Sequence, residues 1–308
     1  MQQSSDKKIT FLVGNEKILE HMRSVSARQP FYEGTIEFLN DLSKKLMGRK
    51  ASRRYPDVVT LGFWLRKASV LQLKKRFYHE ENVLQFGRGV VFHIAPSNVP
   101  VNFAYSLIAG LLSGNANIVR VPSKNFEQIE MITNAIMETL EVHKEMEEYI
   151  CLVRYDRDRA INDRLSAICD TRIIWGGDGT IEELRKSPLP PSSTEITFAD
   201  RYSLAVLDSD QYLELENKDR IAEEFYNDTY LSDQNACTSP RIVIWTGSKK
   251  EEAKQIFWSF LHDLVEKRYD FMPIQAVNKL TSAYLVSAVR DGVKIRSAED
   301  NLIVRVQV

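Results

Sequence analysis

Apolar residues recur at helical spacing along Ile36-Glu37-Phe38-Leu39-Asn40-Asp41-Leu42-Ser43-Lys44-Lys45-Leu46, and the same texture runs from Phe63-Trp64-Leu65 through Leu71 to Leu73. Both stretches predict amphipathic helices. The pattern changes at Gly87-Arg88-Gly89. Val90-Val91-Phe92-His93-Ile94-Ala95 is an unbroken apolar run of strand length, closed by Pro96 and Pro100. A long apolar helix is predicted over 101–112, with Gly110 inside it, then a turn at Gly114-Asn115 and a second strand over 117–121. A helix over 126–143 follows. Strand, helix, strand and helix then repeat over 150–153, 157–169, 172–175 and 180–186. Strands that are apolar throughout and alternate with helices predict a parallel sheet covered on both faces. Pro188, Pro190, Pro191, Ser192 and Ser193 mark a linker-like break. Beyond it the pattern predicts a strand over 203–207, a helix over 221–226, a strand over 242–245 and a strong helix over 251–267.

Composition narrows the functions. The chain has 308 residues, enough for two packed domains. Lysine and arginine (41) nearly cancel aspartate and glutamate (42), for a net charge of −1, which argues against nucleic-acid binding. Lys74-Lys75-Arg76 and Arg53-Arg54 read as solvated faces. No apolar stretch approaches the roughly 20 residues of a membrane span, and the amino terminus lacks the layout of a signal peptide. Three cysteines, Cys151, Cys169 and Cys237, and five scattered histidines show no metal-ligand spacing, so no metal is expected. Sparse cysteines fit a reducing cytoplasm.

Four segments could carry chemistry. Cys237 lies in Ser232-Asp233-Gln234-Asn235-Ala236-Cys237-Thr238-Ser239-Pro240, among small and polar residues where the chain enters a strand. It is either a presented nucleophile or an inert buried thiol. Asn98, in Pro96-Ser97-Asn98-Val99-Pro100, follows a strand end, where open α/β sheets bind ligands. Its amide could donate to an oxyanion, or it could cap the next helix. Arg120-Val121-Pro122-Ser123-Lys124 offers a hydroxyl and two cations to a phosphate, or is a solvated turn. Gly176-Gly177-Asp178-Gly179-Thr180 follows a strand and opens a helix, with Thr180 and Glu183 spaced as a capping box. It suits a pyrophosphate, or is a tight turn.

His93-Ile94-Ala95-Pro96-Ser97-Asn98-Val99-Pro100, Val119-Arg120-Val121-Pro122-Ser123, Trp175-Gly176-Gly177-Asp178 and Gln234-Asn235-Ala236-Cys237-Thr238-Ser239-Pro240 occur in that order over roughly 87–245. Together they resemble the acyl-CoA reductase (LuxC) family of the aldehyde dehydrogenase superfamily. The resemblance implies an aldehyde dehydrogenase-like α/β fold: a helical region over 1–85, a doubly wound parallel-sheet dinucleotide-binding domain over 86–208, and an α/β catalytic domain over 209–308. Cys237 would accept the acyl group, and Asn98 with the Cys237 N–H would hold the oxyanion. Ser123 would lie near the adenosine of NADPH, Gly176 and Gly177 along the pyrophosphate, and Arg120 or Lys124 at the 2′-phosphate. The substrate would be an acyl-CoA or acyl-carrier thioester, reduced to an aldehyde. An acyl-protein synthetase is the implied partner, and a homo-oligomer is compatible.

The departures from that family are specific. Thr197-Phe198-Ala199-Asp200-Arg201-Tyr202-Ser203 stands where thioester-hydrolysing relatives carry a glutamate, which favours reduction over oxidation. Val121 stands where many relatives have a cofactor-binding lysine. The chain runs only to Val308, short of the region that follows the cysteine in full-length relatives, so a truncated catalytic domain is expected. Two rival readings stay open. Gly-Gly-Asp-Gly-Thr is also a signature of NAD and diacylglycerol kinases, and the chain could be a non-catalytic scaffold of the same fold.

Overall fold

A short strand, β1 (Thr10–Val13), is the first element among the described residues of the computed structural model, which are 9–78, 83–96, 98–199, 201 and 203–308. A helical layer follows, made of α1 (Glu16–His21), α2 (Glu33–Gly48), α3 (Pro56–Trp64) and α4 (Lys67–Phe77). Proline at the first position of α3 costs no hydrogen bond there. The predicted single stretch through 63–73 is broken because Arg66 is extended, which separates α3 from α4.

The alternation then comes as β2 (Val90–Ile94), α5 (Asn102–Leu112), β3 (Ala116–Arg120), α6 (Glu127–Leu140), β4 (Ile150–Arg154), α7 (Arg159–Ala167), β5 (Thr171–Trp175), α8 (Asp178–Arg185) and β6 (Thr194–Phe198). The six strands lie in the order β1-β4-β3-β2-β5-β6. All neighbours from β4 to β6 are parallel, and β1 joins antiparallel to β4. Every residue of β2 is buried, as a strand covered on both faces requires. Phe92, Ile118 and Leu152 of the sheet, Phe103 and Leu107 of α5, Ile132 and Ile136 of α6, and Leu39 and Leu42 of α2 share one core.

This unit spans Met1–Asp200 and a second spans Arg201–Val308. The strand over 203–207, which the sequence reading places in the dinucleotide-binding domain, belongs to the second unit. There the chain forms β7 (Ser203–Asp208), α9 (Ser209–Glu214), α10 (Lys218–Thr229), β8 (Pro240–Thr246), α11 (Lys250–Arg268), α12 (Pro273–Ala288), β9 (Lys294–Ser297) and β10 (Val304–Gln307). The strands β7 and β8 pair in parallel, and β9 and β10 antiparallel. Tyr212, Ala222, Tyr226, Phe257, Leu261 and Val265 make a separate core. The Asp210 carboxylate ties the β8–α11 loop by accepting from Ser248 N, Ser248 Oγ and Lys249 N, at 2.9, 2.9 and 3.2 Å.

Candidate active site

In the first unit β2 sits at the topological switch. The next two strands, β3 and β4, lie on one side of it, and β5 and β6 on the other. The helices that follow therefore diverge, and the crevice beyond the carboxyl ends of β2 and β5 is where doubly wound sheets take ligands. The loop after β2 carries Asn98, and the loop after β5 is Gly176–Gly177. Arg120 ends β3, and Ser123 and Lys124 follow it on the same edge. Six of the seven residues picked from the sequence thus share one edge of one sheet.

Asn98 is exposed and lies before α5, whose N-cap is Val101. It therefore does not cap that helix. Its neighbour Ser97 lies outside the described residues. The predicted capping box is also corrected. Because α8 starts at Asp178 with Gly177 as N-cap, Thr180 is already inside the helix, and Glu183 pairs with Lys186. The Gly177 carbonyl accepts from Thr180 N and Ile181 N at 2.9 and 3.1 Å, closing the first turn without a side-chain cap. A Cβ on Gly177 would meet nothing within 4 Å, so the backbone here faces open space beside a helix amino terminus.

On the β3 side, Ser123 and Lys124 are exposed. The Arg120 guanidinium lies 4.6 Å above the Tyr155 ring, and its Nη2 donates to the Tyr155 carbonyl at 3.3 Å. Val121 is buried and donates its N–H to Val153 O at 2.9 Å, so this position is filled by core packing. Arg154, which the sequence reading does not single out, ends β4 beside this edge. Its Nη1 donates to Asn125 Oδ1 at 2.9 Å. Ending the strand at Val153 had left it out; in the structure β4 runs one residue further.

Cys237 belongs to the second unit. It lies in a turn directly before β8, and its carbonyl accepts from Ser203 Oγ at 2.7 Å. Asp233 and Gln234, upstream in the same segment, both adopt left-handed backbone, with φ of 48° and 53°. This is uncommon outside glycine and concentrates at functional sites. The Tyr269 hydroxyl holds Asp233 by donating to its carboxylate, and Ser232 Oγ meets Ser239 Oγ at 3.1 Å. The three thiols differ sharply. Cys151 and Cys169 are buried, and burial pushes both up to about 12, so neither is a thiolate near neutrality. Cys237 is exposed. Asp200 and Tyr202, within the segment that lacks the glutamate, lie outside the described residues. Among the described residues no three His, Cys, Asp or Glu side chains cluster to hold a metal, and no helix is long and apolar enough to cross a membrane.

The family model for acyl-CoA reductase (LuxC) matches residues 68–300. A long-chain acyl-protein thioester reductase of Vibrio harveyi is 26% identical over 173 residues, covering 56% of this chain and 35% of that relative. One from Aliivibrio fischeri is 24% identical over 161 residues, covering 52% and 32%. The matched stretch is thus about a third of either relative's length. Among solved structures, a betaine aldehyde dehydrogenase of Staphylococcus aureus in complex with NAD+ superposes with a TM-score of 0.61. It is 15% identical, over 98% of this chain and 69% of that one. A NAD-dependent benzaldehyde dehydrogenase of Corynebacterium glutamicum gives 0.60 at 14% identity, over 96% and 74%. At such identity the likeness is one of fold.

Proposed function

The chain belongs to the acyl-CoA reductase (LuxC) family, and from that premise we propose that it reduces a long-chain acyl thioester to an aldehyde by way of a Cys237 thioester. The observation that carries this reading is the contrast among the thiols: Cys237 alone of the three is exposed, in the segment that resembles the family's nucleophile motif. The relatives are named for acyl-protein thioesters, which favours a protein-bound acyl donor over acyl-CoA. An acyl-protein synthetase is the fitting partner to load such a donor.

The Cys237 Sγ attacks the acyl carbonyl as a thiolate, forming the C–S bond and a tetrahedral oxyanion. The resemblance assigns the stabilising of that oxyanion to the Cys237 N–H together with the Asn98 amide hydrogen. One such donor is worth roughly 3–4 kcal/mol of barrier. The departing thiolate takes a proton, and the acyl group stays on Cys237. The carboxyl edge of the sheet fits a dinucleotide: Gly177 leaves room for a pyrophosphate at the start of α8, and Ser123, Lys124 and Arg120 line the neighbouring loop. When bound, NADPH supplies the hydride that reduces the thioester. On this edge Lys124, and Arg120 and Arg154 once released from Tyr155 and Asn125, are cations that could meet its 2′-phosphate. Three free cysteines suit work in a reducing cytoplasm.

Intact mass after incubation with long-chain acyl-CoAs, and with an acyl-loaded carrier protein, tests the nucleophile. A thioester-labile adduct mapping to Cys237 is expected, absent in Cys237→Ala, with NADPH binding retained in that variant. Aldehyde formation by Cys237→Ala would sink the assignment.

A further inference from the structure

His93 sits in β2 with no exposed surface, between Ser106 on α5 and Asn117 on β3. Its Nδ1 is 2.8 Å from Ser106 Oγ and its Nε2 is 3.0 Å from Asn117 Oδ1. The direction of each bond is fixed from outside the ring. Asn117 Nδ2 donates to the carbonyls of Asn115 and Tyr149, at 2.7 and 3.5 Å. A carbonyl can only accept, so the amide nitrogen faces those oxygens and Oδ1 faces His93. The proton of the imidazole therefore resides on Nε2, and Nδ1 is an acceptor. Ser106 spends its hydroxyl hydrogen on Nδ1, which leaves its lone pairs to receive the Trp175 indole N–H at 3.2 Å.

Hydrogen thus runs one way through four side chains, from Trp175 to Ser106, to His93, to Asn117, and out to two backbone carbonyls. Burial holds His93 down at about 4, which keeps the ring neutral as this order requires. Space is reserved for it as well. A Cβ on Gly110 would fall 1.8 Å from Asn117 Oδ1 and 3.1 Å from His93 Nε2. The far end of the chain is the last residue of β5, directly before Gly176–Gly177. The Trp175 ring stacks on Phe198 at 3.8 Å and 10°, and Gly176 N donates to the Phe198 carbonyl at 3.2 Å.

We propose that His93, Ser106 and Asn117 are positioning residues that tether the Trp175 ring and, through its stack on Phe198, hold the Gly176–Gly177 turn in shape for a dinucleotide. The dinucleotide part rests on the functional reading above; the tether does not. In the ¹⁵N-labelled full chain, His93 shows the Nε2–H tautomer, and Trp175→Phe identifies the Trp175 indole signal among the four tryptophans. Ser106→Ala moves that signal upfield and opens it to solvent exchange, and it weakens NADPH binding about fivefold, the worth of one hydrogen bond. Ser106→Thr restores both. In the Trp175→Phe background, which keeps a stacking ring but no N–H, Ser106→Ala has little further effect on NADPH affinity.

An Nδ1–H tautomer in the unmutated protein overturns the tether, as does an unmoved indole signal in folded Ser106→Ala. An equal fivefold loss in both backgrounds overturns the positioning role. If the unmutated protein binds neither NADPH nor NADH, the functional reading fails, and the tautomer and indole signals still decide the tether.

Discussion

At Gly110 the geometry admits no side chain, because a Cβ would overlap Asn117 Oδ1. Gly110→Ala is expected to cost about 3 kcal/mol, from overpacking together with the displaced hydrogen bond. It should appear as a lower urea midpoint at unchanged slope. Gly179→Ala should do the opposite by under about 1 kcal/mol, since it is helical and its Cβ would meet open space. The sequence shows a glycine inside an apolar helix but not its purpose, because the groups it clears lie on other elements and are brought near only by folding. Candidate residues such as Asn98, Ser123 and Gly177 were legible because each falls in a short motif just after an apolar strand. The aim of a long side chain was not. Arg120 reads as a free cation in the sequence, whereas its guanidinium lies over Tyr155, a residue of the next strand's exit loop.

Edge strands follow the same logic at the scale of the element. The central strands β2 to β5 announce themselves as apolar runs, because both faces are covered. Thr194-Glu195-Ile196-Thr197-Phe198 carries no such run, and it becomes β6 by pairing with β5. That pairing brings Glu195 opposite Arg172, whose side chain is 3% exposed and donates to Glu195 Oε2 at 2.9 and 2.6 Å. Arg172 Nη1 also donates to Ser187 O and Ser166 Oγ. Burial of Glu195 would raise its carboxyl, but the bonds from Arg185 and Arg172 outweigh it and hold the group below its ordinary range. Glu195→Ala leaves a buried guanidinium without its carboxylate and is expected to cost roughly 3 kcal/mol by denaturant titration. Replacing Arg172 with methionine in the same chain should recover much of that. The starts of α5 to α8 were legible to within about two residues, and the error at α8 has a physical cause: Gly177 can cap through its backbone alone.

For the molecule as a whole, the alternation of apolar strands and helices was enough to give the doubly wound sheet. The boundary between the units was harder to read, because β7 looks like one more strand of that sheet until its pairing with β8 is known. Acid should loosen the first unit through His93. His93 is held near 4 when folded against an ordinary 6.5. Its contribution is therefore fully present above pH 6.5 and is lost as the pH falls to about 4, because the unfolded chain takes up the proton first. The loss is roughly 3 kcal/mol, measurable by denaturant titrations across that interval and absent in His93→Gln. The two sheet cysteines, Cys151 on β4 and Cys169 just before β5, are sealed inside the unit that this proton would open. A maleimide dye therefore finds a single handle on the native chain and three on the opened one, so that dye stoichiometry becomes a clock for the opening of the sheet.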